Sequence, residues 1–103
     1  MNWLQRRDLM IDLYLKLGYA LVDDPGYRAF KGNLDSQTLV FVNDIEGSDL
    51  PSDLEDGVRV TYLFKKGAGD WLEDHVETYL TSYSWLKMLP SELLYPFDYE
   101  KFT

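Results

Sequence analysis

His75 is the single histidine of the chain and directly follows Asp74. An imidazole beside a carboxylate supplies the groups for general acid-base work. A working base also needs a nucleophile or second proton-transfer group brought to it by tertiary structure, and adjacent residues on a helix do not face one another. The chain has no cysteine, which excludes thiol nucleophiles, disulfides and thiolate metal sites. Carboxylates are plentiful instead. Asp44, Glu46, Asp49, Asp53, Glu55 and Asp56 lie within residues 43–57, and Asp70, Glu73, Asp74 and Glu77 within 67–86; neither segment holds a Lys or Arg. Hard cations take such oxygens, yet Asp44, Glu46, Asp49 and Asp53 do not follow the calcium-loop pattern of alternating ligands with a closing glutamate. A carboxylate pair for glycoside hydrolysis needs a cleft that so short a chain seldom builds. Lys65-Lys66-Gly67-Ala68-Gly69 before a helix would suit a phosphate, but Asp70, Glu73 and Asp74 in the first turn would repel one. No Walker loop, nucleophile elbow or dinucleotide fingerprint occurs. The expectation is a non-enzymatic protein without cofactor or metal.

Charge is the stronger clue. The two segments hold ten of the eighteen carboxylates, the net charge is −8 and the pI is about 4.4. Nucleic acid and anionic membranes reward Lys and Arg clusters, so direct binding to either is not expected and a partner with a basic surface is favoured. Acids in a first helical turn complement the helix dipole, which accounts for Asp70, Glu73 and Asp74 but not for Glu77. The candidate partner-binding set is Asp49, Asp53, Glu55, Asp56, Asp70, Glu73, Asp74 and Glu77, with Trp85 as an aromatic anchor on the flank of the same helix.

These residues must be positioned by one small domain. The chain has 103 residues, 46% apolar and 16% aromatic, enough for a single core over residues 1–103. A helix is expected over residues 3–17, where Met10, Leu13, Tyr14 and Leu17 keep helical spacing and Leu4, Ile11 and Leu15 widen the apolar arc. Gly18 stops it, and residues 23–26, Asp-Asp-Pro-Gly, read as a turn. Strands are expected over 27–31, 37–42 and 58–65, with a turn at 32–36 and a long acidic loop at 43–57. Val58, Val60, Tyr62 and Phe64 alternate with Arg59, Thr61, Leu63 and Lys65, which gives the third strand its two faces. A second long helix is expected over 71–89, with Asp70 as N-cap, Glu73 three places on, and Pro90 as its end. The tail carries Tyr95, Phe97, Tyr99 and Phe102 and is expected to cover a bare sheet face or a partner.

The expected fold is therefore α+β in the order α-β-β-β-α: a three-stranded antiparallel sheet, two long helices packed on one face, and an aromatic C-terminal tail. Double-stranded-RNA-binding domains share that order but open their second helix with basic residues, the reverse of Asp70-Trp71-Leu72-Glu73-Asp74. In order and acidity the chain is similar to some phage-encoded anti-CRISPR inhibitors. The expected function is a cytoplasmic, phage or bacterial inhibitor of anti-CRISPR, anti-restriction or immunity type, blocking a basic nucleic-acid-binding surface by charge mimicry. The alternative is a structural homo-oligomer or accessory subunit that uses the first helix and the tail as its interface. No leader-like segment and no apolar run of membrane length is present.

Overall fold

The computed structural model describes residues 2–65 and 67–87. It contains α1 (Trp3–Lys16), β1 (Ala20–Asp24), β2 (Tyr27–Asp35), β3 (Thr38–Asp44), β4 (Val58–Lys65), β5 (Trp71–Tyr79) and α2 (Ser82–Leu86). The strands form one antiparallel sheet in the order β1-β2-β3-β4-β5.

The three-stranded sheet with two long helices is thus overturned: the sheet has five strands, and α1 is the only long helix described. The shared element order that suggested double-stranded-RNA-binding domains and anti-CRISPR inhibitors goes with it. Residues 71–79, expected as helix, are β5. Trp71, His75, Val76, Thr78 and Tyr79 lose side-chain freedom in a helix and suit a pleated surface, and the well-alternated β4 offers a partner to pair with. The expected N-cap at Asp70 with Glu73 behind it therefore does not form. Residues 20–24 pair as β1, which the sequence reading does not expect, and the expected turn at Pro25-Gly26 closes its hairpin with β2, with Gly26 at φ +79, where only glycine rests easily. Residues 32–35, expected as turn, extend β2. The end of the expected helix near residue 89 and the aromatic tail lie outside the described residues.

α1 starts at a capping box: the Asn2 side chain accepts from Gln5 N–H and the Gln5 side chain from Asn2 N–H. It stops at Gly18, φ +93. Met10, Leu13 and Tyr14 are buried against the face carrying Phe30, Val40, Val42, Val58 and Val60. Tyr14 stacks on Phe30, centroids 4.0 Å apart, and shares a hydrogen bond of 2.5 Å with Ser82, tying α1 to α2. Burial pushes the Tyr14 phenol well above its ordinary value, so it stays protonated. One flank of the wide apolar arc is left open, with Leu4 52% and Leu15 45% exposed.

The acidic segment between β3 and β4 is a plug. Asp44 Oδ1 accepts from Gly47, Ser48 and Asp49 N–H groups and closes a turn. Arg28 then grips Asp49 with two bonds of 2.6 and 2.9 Å, and Arg6 holds Asp53 at 3.1 Å. Between those ties Leu50, Pro51 and Leu54 turn into the core. Leu54 and Asp56 carbonyls accept from Tyr83 and Ser82 N–H groups, so the plug also seats α2. The Arg28 guanidinium holds the Asp49 carboxyl below the usual range.

Tyr19 lies flat across β2 because residue 32 is glycine: a Cβ there would come within 2.6 Å of the Tyr19 ring. Burial raises the Tyr19 phenol to about 12, partly offset by the nearby Trp85 indole N–H, although the two do not reach hydrogen-bond geometry. Gly32→Ala is therefore expected to cost about 1–3 kcal/mol in urea unfolding. The loss should shrink when Tyr19 is first shortened to Leu, because the two changes share one contact.

Candidate functional site at the acidic edge of the sheet

β4 and β5 are joined by a turn containing Gly67, φ +65, and Asp70 stands just before β5. Their register runs Val58↔Tyr79, Val60↔Glu77 and Tyr62↔His75, then slips so that Leu63 meets Glu73. Asp74 is the extra residue of this bulge, which frees its side chain from the ladder. It turns to His75: Nδ1 and Oδ2 are 2.6 Å apart. The dyad that helical neighbours would not form is thus made by a bulged strand.

Tyr62 anchors the group from β4. Its ring stacks on His75 at 4.3 Å, and its hydroxyl donates to Glu77 Oε2 at 3.2 Å. Tyr79 donates to the same oxygen at 2.5 Å, and the two hydroxyls are 3.4 Å apart. His75 Nε2 lies 3.4 Å from Glu77 Oε1. Behind them Trp85 is only 2% exposed and packs on both tyrosine rings, so it walls the site from inside the core and does not stand at the surface.

The electrostatics follow from these contacts. The Asp74 hydrogen bond and then Glu77 raise His75 above its ordinary value. The Tyr79 hydroxyl, with Tyr62 and His75 adding, holds Glu77 below its own. Desolvation, with Glu77 adding, pushes both phenols up. Two phenol hydroxyls and the His75 ring together hold the Glu77 carboxylate in place.

The structure sorts the candidate residues. Asp49 and Asp53 are tied to Arg28 and Arg6 within the plug. Glu55 and Asp56 are exposed at its end, near the foot of β5. Asp70 and Glu73 are exposed at the other end of β5 and form no ion pair with a described residue. Asp74 and Glu77 belong to the His75 group. Asp70, Glu73, Asp74 and Glu77 therefore lie along the edge strand, with Glu73 and Glu77 on opposite faces of the sheet, and not on a helix. Sequence reading missed Tyr62 and Tyr79 as partners of Glu77, because only the β4–β5 pairing brings them together.

Among the described residues no three His, Asp or Glu side chains converge as a metal-ligand set, and no helix is long and apolar enough to cross a membrane. A cleft of about 620 Å³ opens between the β1–β2 turn and the plug; Asp23, Asp24 and the Arg28–Asp49 pair line it. Comparisons with protein families, with curated proteins and with solved structures find no match.

Because the folded state favours charged His75, its contribution to stability is complete below the ordinary value of 6.5 and fades as pH rises through the higher folded value. An NMR titration of the His75 ring is expected to give a midpoint above 6.5. Asp74→Asn should lower it, and a parent midpoint at or below 6.5 would contradict the geometry.

Proposed function

We propose that this chain is a non-catalytic, acidic protein-binding module of the cytoplasm that docks its β5 edge on a basic surface of a partner protein. A surface built to receive nucleic acid is the natural target, and covering it would make the chain an inhibitor of the anti-restriction, anti-CRISPR or immunity kind carried by phages and bacteria. One observation carries the reading: Asp70, Glu73, Asp74 and Glu77 follow one another along a strand edge, on a segment without Lys or Arg. Such an edge attracts cations from a distance and accelerates encounter, and it repels nucleic acid itself. The His75 group adds to the same reading, since it spends two tyrosines and a histidine on holding one carboxylate in place.

The test is capture of the partner from the native cell at low and high salt, followed by charge reversal. Asp70→Lys with Glu73→Lys alters exposed residues outside the His75 group and should leave the fold intact. Affinity for the captured partner should fall at least about tenfold, or about 1.4 kcal/mol, and binding by the parent should weaken as salt rises. Equal affinity of parent and variant contradicts the proposal.

A second reading rests on the open flank of α1. Leu4 and Leu15 are exposed there, which suits a homo-oligomer or a fixed subunit. Sedimentation distinguishes it: Leu4→Gln with Leu15→Gln should dissolve an oligomer built on that flank and leave a monomer unchanged.

A further inference from the structure

The sheet has two edges, and they differ. β1 has five residues and β5 has nine. Among the described residues β5 pairs only with β4. Its outer N–H and C=O groups therefore follow the margin of the described sheet for about 30 Å, a template for one more strand. The side chains beside that template carry one sign. Glu73 shares a face with Leu63, Glu77 shares the other face with Val60, and Asp74 stands at the bulge between them. A segment laid alongside meets a carboxylate whichever way its side chains alternate.

Charge then selects the occupant. A second copy of β5 would set Glu73, Asp74 and Glu77 against their like, and an acidic strand fares no better. A segment carrying Lys or Arg gains a cross-strand partner at each acidic position. Glu77 is already held ionised by the Tyr62 and Tyr79 hydroxyls, so it meets a cation without reordering. We propose that β5 receives an extended, Lys- and Arg-rich segment of the partner protein as a sixth strand of the sheet. This rests on the acidic-docking reading and gives the partner a form, a chain segment paired through its backbone instead of a folded basic groove. The charges that keep two such edges apart are the ones that admit a basic guest.

Three synthetic peptides spanning the length of β5 test this on the full chain by calorimetry and amide exchange. One alternates Arg and Thr, the second is the same peptide N-methylated along one edge, and the third replaces Arg with Glu. The Arg peptide should bind about tenfold or more tighter than its N-methylated copy, slow amide exchange across Trp71–Tyr79, and weaken in the Asp70→Lys, Glu73→Lys variant; the Glu peptide should not bind. Equal affinity of the two Arg peptides, both lost in that variant, would overturn strand addition and leave acidic docking standing. Failure of every basic peptide would overturn strand addition, and acidic docking would fall with it only if partner capture is also indifferent to charge reversal.

Discussion

One helix cannot cover five strands. Strands lie about 4.8 Å apart, so the sheet is roughly 20 Å across, while a helix with its side chains spans about 10–12 Å. α1 buries Met10, Leu13 and Tyr14 over part of that width, and the remainder must be covered by something else. The β3–β4 segment does this with Leu50, Pro51 and Leu54, and α2 adds Trp85 and Leu86. The Asp49–Arg28 and Asp53–Arg6 pairs hold the segment inward, and its carbonyls seat the start of α2. α1, β2 and α2 are all tied to this plug.

That constraint divides the carboxylates by role. In the plug, Asp44 and Asp53 satisfy backbone N–H groups and Asp49 and Asp53 meet arginines, so these three acids are answered within the chain, while Glu55 and Asp56 stay exposed. Along β5 the answer is different. Asp74 and Glu77 are fixed by His75 and two tyrosines, whereas Asp70 and Glu73 pair with no described cation. The same residue type supplies structure at one end of the protein and an outward field at the other.

How much of this was legible follows from what sets each element. α1 and β4 were, since helical spacing in one and strict alternation in the other leave a single way to bury the apolar side. β5 was not: Leu72, Val76, Tyr79 and Leu80 also fit a helical stripe, and the choice is made by β4, a partner that local pattern does not contain. Leu80, which a helical stripe would bury, is 92% exposed in the turn before α2. β1 was hidden for a related reason, because Leu21-Val22 is too short to read as a strand before its hairpin is known. The plug left a fainter signal in Leu50, Pro51 and Leu54, apolar residues spaced through an acidic stretch that solvent alone would not require. The pairing of Asp49 and Asp53 with arginines far away in sequence left none.

The central claim, that two classes of carboxylate share this chain, is tested most directly by urea unfolding of two double variants at neutral pH. Asp49→Asn with Asp53→Asn should destabilise the fold by about 1–3 kcal/mol through lost charge-assisted bonds to Arg28 and Arg6. Asp70→Asn with Glu73→Asn should stay within about 0.5 kcal/mol of the parent, as exposed substitutions do. Equal losses in the two variants, or an unchanged Asp49, Asp53 variant, would contradict the division.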